Sequence, residues 1–534
     1  MRIVWALAAV TGLLHGQDIA GPRIRAHVKF LASDLLEGRG VGTRGGDLAA
    51  EYLASQLEVM GVKPTGDSGT YFQRVPLTGV RPLPATTLSY QAGGEVQTFE
   101  WLEDLAGSSH RQTNSSIDAE AIFVGHGITA PEYGWDDYGD TDVRGKVVVL
   151  FTGEPPSNDP NFFGGKALTY YGRWTYKFEE AARRGAVACI IVHTTATASY
   201  GWEVVRSSWG REDIQVRVEP GAHALSFAGW ITGKAGDRLF AATGKATDQM
   251  LQLADTKGFR PVKLPGRMKG SFPSRVRDSV SKNVVGTIAG SDPAKQAEYV
   301  IFTAHWDHLG MGEAVKGDGI YNGAVDNATG CAMVLELARA WQALNPKPRR
   351  SAMFLFVTAE ESGLLGSKYY AAHPVVPLGR TAANINFDAF YPFGRTTDVS
   401  VDGAERTTLW TLVENVAQRF RLTVREDPHP EQGHYFRSDH FSLAQAGVPA
   451  FSVSMGASFA GKPREFGEKV FNNYNDNHYH QPSDQYSESW DFAGMIEMAK
   501  FGFTIGMDVA NSEKLPTWRK GDPLLAVRER SGVR

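Results

Sequence analysis

Cysteine is nearly absent from this sequence of 534 residues, which contains only Cys189 and Cys331. Two cysteines cannot build a disulfide framework, and they cannot supply the ligands of a Cys-based zinc site. Any metal ion that the chain holds must therefore be bound by histidine, aspartate and glutamate side chains.

The sequence also lacks an excess of charge of either sign. The net charge is −4, with both signs interspersed, which gives no reason to expect nucleic acid or an anionic membrane as a partner. Hydrophobic residues make up 42% of the chain and charged residues 21%, values that are typical of a globular protein and not of a disordered one. A chain of this length predicts two or three domains, and it contains no internal repeat.

No stretch of the sequence is long and apolar enough to span a membrane. The N-terminal apolar run from Ile3 to Leu14 follows Arg2 and is too short to cross a bilayer. It is typical of a secretory signal peptide, although the cleavage signal is poor, and we expect cleavage near Gly16 or Gln17. The alternative is a buried N-terminal helix. The signal-peptide interpretation covers residues 1–16 and predicts a protein that is secreted or periplasmic.

Helical patterns near the N-terminus give way to a strand-rich middle. Apolar residues at helical spacing run from Gly21 to Pro64, where glycine and proline end the helices. Residues 70–118 have a strand-like, irregular pattern. Between about residues 119 and 273, strands such as VRGKVVVLFTG alternate with the helix YKFEEAARRGA. This middle segment therefore predicts a compact, β-rich unit with crossover connections.

From Asn283 onward, strands and helices alternate. Helices are predicted over residues 332–344 and from 490 to about 510, with apolar strands between them. Alternation of this kind predicts an α/β fold in which a mostly parallel mixed sheet is sandwiched by helices. The C-terminal segment 513–534 is rich in arginine and is predicted to be a basic tail at the surface.

Polar residues follow three predicted strands at the point where each strand ends. In open α/β sheets, binding sites form outside the carboxyl ends of the strands. A glycine-rich loop before a helix and a late loop, NHYHQPSD, add further candidates. The full set is His305, Asp307, His308, Asp326, Glu360, Glu361, Asp388, His478 and His480.

These candidates are histidines and carboxylates, a ligand set that suits zinc or another divalent first-row metal better than magnesium or calcium. Each one alone has an ordinary explanation, since an aspartate before a helix is commonly an N-cap and adjacent glutamates are commonly solvated. Their coincidence at the strand ends of one domain predicts a metal site. Glu360 and Glu361 can act together only if the strand has already ended, because neighbours in a regular strand point to opposite faces.

Six ordered segments of the sequence resemble the zinc-dependent exopeptidases of peptidase family M28, of the aminopeptidase Y and S type. They are TAHWDHLG, GAVDNATG, TAEESGLLGSKYY, NINFD, RSDHFSLAQAGVPAF and YHQPSD. The segment that begins VGHGITAPEYGWDD resembles a protease-associated (PA) domain inserted into such enzymes. The resemblance implies an N-terminal part of the peptidase domain at residues 17–118, a PA-like domain at 119–273 and the zinc peptidase catalytic domain at 274–512.

The resemblance implies a site with two zinc ions that acts on a peptide substrate. Asp326 would bridge both ions. His305 and Asp388 would complete the ligands of one ion, and Glu361 and His480 those of the other. The peptide bond after the bridging aspartate is often cis in this family.

The resemblance also implies roles for three residues that are not ligands. Glu360 would be the catalytic base, which takes a proton from water and passes it to the leaving amine. Asp307 would orient His305. Tyr435 lies three residues before the triplet SDH, a spacing used by an oxyanion-stabilising tyrosine in some of these enzymes. A packed surface tyrosine is the alternative.

The remaining histidines fit the family less directly. His478 is close enough in sequence to compete with His480, but YHQPSD matches the family at His480. His308, His434 and His440 are expected beside the ligands or facing the substrate, or else as ordinary hydrogen-bonded histidines.

The function implied by the resemblance is that of a secreted metallo-aminopeptidase. The same fold hosts carboxypeptidases that cleave C-terminal glutamate, a single-zinc glutaminyl cyclase and non-catalytic receptor-like relatives. The presence of His305, Asp388 and Asp326 together favours two metal ions and hydrolysis. A carboxypeptidase would need arginines for the substrate carboxylate, for which Arg437 and Arg395 are candidates. The sequence leaves open the preferred substrate residue, the role of the PA-like domain and the oligomeric state.

Overall fold

A computed structural model of the protein describes residues 18–159, 161–219, 221–427 and 430–532. The predicted signal peptide at residues 1–16 lies outside the described residues. In the part of the chain that is described, no helix has the length and apolar character that a membrane span requires.

The strands of the described residues form two large sheets and two short hairpins. Numbered along the chain, the strands of the N-terminal half are β1 Lys63–Pro64, β2 Phe72–Pro82, β3 Thr87–Ala92, β4 Glu95–Phe99, β5 Leu105–Ser108, β6 Ser115–Phe123, β7 Thr129–Ala130, β8 Trp135–Asp136, β9 Val147–Phe151, β10 Ala188–His193, β11 Asp213–Val216, β12 Phe227–Thr232 and β13 Val262–Phe272. Those that follow are β14 Ser274–Ile288, β15 Tyr299–His305, β16 Gly310–Val315, β17 Asp318–Tyr321, β18 Ser351–Val357, β19 Thr381–Phe387, β20 Asp398–Ser400, β21 Thr423–Val424 and β22 Ala450–Met455.

The α-helices are numbered in the same way. They are α1 Gly21–Leu31, α2 Arg44–Val59, α3 Trp174–Arg183, α4 Thr195–Ala198, α5 Trp202–Trp209, α6 Gly233–Phe240, α7 Thr247–Ala254, α8 Thr329–Gln342, α9 Leu365–Ala372, α10 Trp410–Phe420, α11 His440–Gln445, α12 Phe466–Asn477, α13 Ala493–Asn511 and α14 Leu524–Arg530. The predicted helices at 332–344 and 490–510 correspond to α8 and α13 within a few residues.

The first sheet is mixed, as the sequence predicted. Its strand order is β11-β2-β14-β18-β15-β19-β22-β20-β21, with β1 paired to β14. The central strands β18, β15, β19 and β22 run parallel to one another. The prediction of a mostly parallel sheet holds only for this centre, because β2, β14 and β20 pair antiparallel with their neighbours.

Helices cover both faces of the first sheet, in agreement with the predicted sandwich. On one face α1, α2, α8, α10 and α13 bury their apolar side chains against the strands in the largest hydrophobic cluster. On the other face α9 and α11 pack through Tyr370, Phe441 and Leu443. Because the central strands are covered on both faces, their sequences are almost continuously apolar, as in SAMFLFV.

The second sheet belongs to a unit inserted between two adjacent strands of the first. Strand β2 leaves the first sheet at Pro82, and β14 returns at Ser274 to pair with β2 in antiparallel register. Between them the chain forms the sheet β4-β3-β13-β6-β9-β10-β12-β5. We call residues 87–272 the inserted unit.

The predicted boundary of this unit, residue 119, is too late in the chain. Strand β13 pairs antiparallel with β3 as well as with β6, so the strands that begin at Thr87 already belong to the second sheet. The strand-like pattern of residues 70–118 did not reveal which sheet each strand joins, because that depends on long-range pairing. Strand β11 is the converse case, since it pairs with β2 of the first sheet.

The C-terminal segment is not the surface tail that its arginines suggested. Trp518 is 1% exposed and donates from its indole nitrogen to the carbonyl oxygen of Gly447 at 2.9 Å. Arg528 on α14 is also 1% exposed and donates to the carbonyl oxygen of Thr381 at 2.8 Å. The acceptors of these hydrogen bonds are backbone carbonyl oxygens, which a sequence pattern does not display.

Candidate metal centre

The predicted polar residues meet at the carboxyl edge of the parallel strands. His305 is the last residue of β15, and Asp388 directly follows β19. Glu360 and Glu361 follow the end of β18 by three and four residues, so the strand has ended before the glutamate pair, as predicted. Because β18, β15 and β19 are adjacent, their carboxyl ends bring these side chains together.

His305 contacts two carboxylates. Its Nε2 atom lies 3.1 Å from Oδ1 of Asp388 and 3.2 Å from Oδ1 of Asp326. The potential ligand atoms of these three residues all lie within 4.8 Å of one another. They form one side of the centre.

His480 contacts the other side of the same aspartate. Its Nε2 atom lies 3.4 Å from Oδ2 of Asp326 and 3.0 Å from Oε2 of Glu361. Asp326 thus presents one oxygen to each histidine, the arrangement expected of a bridging carboxylate. His478 is half-buried, and its Nδ1 atom lies 3.0 Å from the hydroxyl of Ser483. We call His305, Asp326, Glu361, Asp388 and His480 the His–carboxylate cluster.

The electrostatics of the cluster suit bound cations. Burial opposes the charge on both histidines, yet the neighbouring carboxylates outweigh it: Asp388 and Glu360 raise the pKa of His305, and Glu361 and Asp326 raise the pKa of His480 to about 10. Carboxylates that favour the protonated, positively charged form of the neighbouring histidines also attract other cations. Imidazole nitrogens and carboxylate oxygens without thiolates form a donor set that fits zinc.

Glu360 and Glu361 differ in environment although they are neighbours in sequence. Burial raises the pKa of Glu360, and the charge of Glu361 adds to that rise, although His305 opposes it. Burial also acts on Glu361, but His480 and His308 reverse its effect and hold the pKa of Glu361 below its usual value. The pKa of Glu361 is thus lowered and that of Glu360 raised, a division that suits a ligand beside a proton carrier.

Asp326 is fixed by a carboxylate that the sequence analysis did not identify. Asp484 is 2% exposed and accepts hydrogen bonds from the backbone nitrogens of Val325 and Asp326, at 2.9 and 3.1 Å. Tyr474 donates its hydroxyl to the same carboxylate at 3.1 Å. The peptide bond between Asp326 and Asn327 is cis, as the family resemblance implied. Asp484 closes the quoted motif YHQPSD, which was the available signal for its role.

A relay of buried polar side chains orients Asp388. Ser438 donates its hydroxyl to Oδ2 of Asp388 at 2.6 Å and accepts from the amide nitrogen of Asn386 at 2.8 Å. Thr303 in turn donates to Asn386 at 2.7 Å. Since Oδ2 is occupied by the serine, Oδ1 of Asp388 is directed at His305.

Ser438→Ala is expected to weaken metal binding on the His305 side of the centre. The loss of a hydrogen bond to a ligating carboxylate costs about 10–100-fold in metal affinity. Competition against a chromophoric chelator measures this change, independently of turnover. Ser458→Ala is the matched control, because it removes a serine–aspartate bond of 3.1 Å to Asp398, outside the cluster. Equal affinities in both variants would contradict the orienting role of Ser438.

The side chain of Asp307 was expected to orient His305, but its contacts are different. Nδ1 of His305 lies 3.2 Å from the main-chain oxygen of Asp307 but 3.9 Å from its carboxylate. The carboxylate, fully buried, instead accepts from the backbone nitrogen of Glu360 at 3.1 Å. The carbonyl of Asp307 therefore orients His305, while its side chain fixes the loop that carries the glutamate pair.

Arg39 is a second residue that the sequence analysis missed. It is 1% exposed, and its guanidinium donates to main-chain oxygens of Leu31, Trp306, Asn322 and Gly323 at 2.6–2.9 Å. Trp306 follows His305, and Gly323 precedes Asp326 by three residues. Arg39 thereby joins the two segments that carry His305 and Asp326.

Tyr435 does not occupy the predicted oxyanion position. Its hydroxyl donates to the carbonyl oxygen of Ala450 at 3.4 Å, and its ring packs edge-on against His440 and Phe441. The guanidinium of Arg406 lies 5.0 Å from the ring centroid. The packed tyrosine, the alternative interpretation, therefore describes Tyr435. Spacing to the SDH triplet could not reveal this, because the direction of the ring is set by its tertiary neighbours.

The other histidines lie in different surroundings. Nδ1 of His308 lies 2.6 Å from Oε1 of Glu361, so this histidine orients a cluster member. His434 contacts Asp427 at 3.0 Å. His440 is 1% exposed, and burial lowers its pKa to about 3. Cys331 is buried as expected, with its Sγ atom 3.1 Å from the carbonyl oxygen of His305.

The fold has a counterpart among solved structures. An aminopeptidase from Aneurinibacillus sp. strain AM-1 superposes with a TM-score of 0.53 over 95% of this chain and 98% of that chain, at 20% sequence identity. This likeness extends over both units and supports the architecture described above.

Curated relatives match shorter stretches. Aminopeptidase NAALADL1 of Mus musculus is 36% identical over 146 residues, which cover 24% of this chain and 17% of the relative. A probable zinc metalloprotease of Pyrenophora tritici-repentis is 30% identical over 179 residues, covering 33% of this chain and 37% of the relative. The chain thus spans well under two thirds of the length of these relatives.

The model of peptidase family M28 matches residues 283–503. This range contains every member of the His–carboxylate cluster as well as Glu360 and Asp307. We call residues 283–503, the range that matches this family model, the peptidase domain.

Proposed function

We propose that the protein is a zinc-dependent exopeptidase that removes N-terminal residues from peptides. The observation that carries this proposal is the position of Asp326, which directs one carboxylate oxygen at His305 and the other at His480. A single-metal enzyme would not need both sides of this arrangement. Its completeness also argues against a non-catalytic receptor, which would have no use for the glutamate pair.

Two sets of residues would hold the two ions. His305, Asp388 and one oxygen of Asp326 form the first set, and Glu361, His480 and the other oxygen of Asp326 form the second. When bound, such a pair of ions lowers the pKa of a water molecule and stabilises the negative charge of the transition state.

Glu360 is the proposed general base. It lies three residues past the end of β18, its backbone nitrogen is fixed by Asp307, and burial raises its pKa, which makes its ionised form a stronger base. A carboxylate with a raised pKa can take a proton from the attacking water and hold it until the leaving amine needs one. Glu361 beside it has a lowered pKa and contacts His480 and His308 within the cluster.

The inserted unit is proposed to be a PA-like domain, and the chain to be exported. The first proposal is supported by the VGHGITAPEYGWDD segment and by the position of the unit between β2 and β14. The second is supported by the apolar N-terminal run alone. Zinc as the metal is supported by the donor set and by the printed names of relatives, which include a probable zinc metalloprotease.

Metal analysis together with a peptide panel tests the proposed function. About two zinc ions per chain are expected in the purified protein, since both ligand sets are complete. Aminoacyl peptides with free N-termini should be cleaved, whereas the same peptides with acetylated N-termini should not. C-terminal glutamate peptides in the panel test the carboxypeptidase alternative. If the protein contains no bound metal and hydrolyses none of the peptides, the proposed function is wrong.

A further inference from the structure

A cavity lies where the inserted unit meets the peptidase domain and the C-terminal segment. Its volume is about 960 Å³, at the upper end of the range for ligand sites in proteins. The inserted unit contributes Tyr133 and residues 167–171, and the peptidase domain contributes Trp410 and residues 433–436. Of the described residues that line the cavity, none belongs to the His–carboxylate cluster. The cavity is therefore separate from the candidate active site.

The two units contact each other directly at this cavity. The backbone nitrogen of Leu168 donates to the carbonyl oxygen of Pro430 at 2.9 Å. Leu168 also packs closely on Gly433, since a Cβ atom on this glycine would lie 3.1 Å from Cδ2 of the leucine. All three residues line the cavity. The walls that the two units contribute are therefore held against each other.

A series of aromatic rings runs along the cavity from one unit to the other. The ring centroid of Tyr171 lies 6.3 Å from that of Tyr133 and 5.0 Å from that of Tyr176. The centroid of Tyr170 lies 5.7 Å from that of Tyr176 and 4.9 Å from that of Phe441 in the peptidase domain. These are the distances of packed aromatic pairs. One continuous aromatic surface thus spans the junction.

The tyrosine hydroxyl groups at the centre of this surface already have acceptors. Tyr171 donates to Oε1 of Glu132, and Tyr170 donates to Oε2 of Glu179, both at 2.6 Å. Both tyrosines are half-buried, and both line the cavity. A ligand in the cavity therefore meets aromatic rings whose hydroxyl groups are engaged within the protein.

Carboxylates outnumber arginines among the residues that line the cavity. The arginines are Arg406, Arg425 and Arg519, and the carboxylates are Glu132, Asp402, Glu405, Glu426, Asp427 and Asp522. Arg406 pairs with Asp522 at 2.9 Å, whereas Arg425 lies 3.8 Å from Asp398, which is not part of the lining. The arginines therefore leave the cavity with an excess of negative charge.

Asp402 and Glu405 can bind a cation in the cavity. The contacts that the described chain offers them are hydrogen bonds, from the hydroxyl of Ser400 at 2.7 Å and from the backbone nitrogen of Gly403 at 2.9 Å. Burial raises the pKa of Asp402 against the hydrogen bond from Ser400, and the charge of Asp427 adds to the rise. A positive group beside these carboxylates would stabilise their ionised forms.

Aromatic faces attract cations, and a cleft lined by carboxylates concentrates positively charged ligands. A single amine would leave most of the 960 Å³ unfilled, whereas a short peptide supplies apolar groups for the aromatic surface as well. We propose that this cavity binds a basic peptide segment, with an arginine or lysine side chain against Asp402 and Glu405. Its neighbouring apolar residue lies on the aromatic surface. The site does not depend on the proposed hydrolysis at the metal centre.

Blocked dipeptides that differ in one charge test the site. N-acetyl-phenylalanyl-argininamide carries a guanidinium group, and its citrulline counterpart carries a neutral group of nearly the same shape. Both are titrated calorimetrically into the zinc-loaded, full-length protein. The arginine peptide should bind at least about tenfold more tightly, as expected for hydrogen bonds to a charged group, and added salt should weaken its binding. Equal affinities, or no measurable binding of either peptide, would overturn the site.

Two variants remove charge from the cavity and preserve shape. Asp402→Asn keeps an acceptor for Ser400, and Glu405→Gln keeps one for Gly403. Each should weaken binding of the arginine peptide about threefold and leave the citrulline peptide unaffected. Glu468→Gln is the matched control, because Glu468 is an exposed carboxylate of the peptidase domain that does not line the cavity. A loss of equal size in the control, or no loss in either cavity variant, contradicts the assignment.

Removal of zinc separates this site from the metal centre. The arginine peptide should bind chelator-treated protein with unchanged affinity, because no member of the His–carboxylate cluster lines the cavity. Binding that disappears with the metal would place the peptide at the metal centre and overturn the site. Aminoacyl peptides are assayed with the same variants and should be cleaved at the wild-type rate. Peptide binding in the cavity and hydrolysis at the metal centre are thus tested independently.

Discussion

Glu360→Gln is expected to reduce kcat by about 10³-fold while the bound zinc is retained. The amide has nearly the shape of the carboxyl group but cannot take a proton from water. Glu360 is also the glutamate whose neutral form is favoured by burial, so the neutral replacement should not disturb the fold. Steady-state kinetics on an aminoacyl substrate and metal analysis of the same sample measure the two quantities together.

Glu361→Gln is the matched control for this prediction, since it changes the adjacent residue in the same way. Glu361 contacts His480 at 3.0 Å and His308 at 2.6 Å, so its loss should release metal from that side of the centre. Retained zinc with lost turnover in one variant, and lost zinc in the other, separates base from ligand. If Glu360→Gln also releases zinc, Glu360 is a ligand and the assignment of the base is wrong.

Asp326→Asn is expected to remove both metal ions and to abolish activity. The aspartate faces His305 with one oxygen and His480 with the other, and an amide nitrogen cannot replace either oxygen as a ligand. Zinc analysis after dialysis should therefore find the variant empty. Asp388→Asn, which alters one side only, should retain about one ion per chain, as the other ligand set is intact.

A thermal measurement checks the same change without reference to activity. A ligand that binds only the folded state stabilises it by about 4 kcal/mol at a free concentration of 1,000 times its Kd. Zinc added to chelator-treated wild-type protein should raise Tm, and Asp326→Asn should not respond. A rise in Tm that is equal in both proteins would show that the bridging aspartate does not govern metal binding.

The components of the cluster could be read from the sequence because each one follows a recognisable strand. His305, Asp388 and the glutamate pair occur where apolar runs end, and parallel strands bring such ends to one edge. The resemblance to peptidase family M28 then implied that Asp326 would bridge the two ions. His480 was separated from His478 by the motif alone, and the contacts of the two histidines in the structure are consistent with that choice.

Other features could not be predicted from the sequence, because they depend on where backbone groups lie in space. Arg39 was unremarked in the sequence, since its partners are carbonyl oxygens far along the chain. Helix α12 places Tyr474 against Asp484, a contact that no pattern in the sequence indicated. Tyr435 had the right spacing for an oxyanion donor, yet its ring turns into a packed aromatic cluster.

The proposed type of chemistry could be inferred from the sequence, because ligand identity, strand ends and motif order are local properties of the chain. The sequence also determined the layered α/β fold through the alternation of apolar strands and helices. Only the folded chain reveals that the second sheet begins at Thr87 and that Tyr170 packs against Phe441. Strand pairing and contacts between units join residues that are far apart in sequence, and no local pattern encodes which of them will meet.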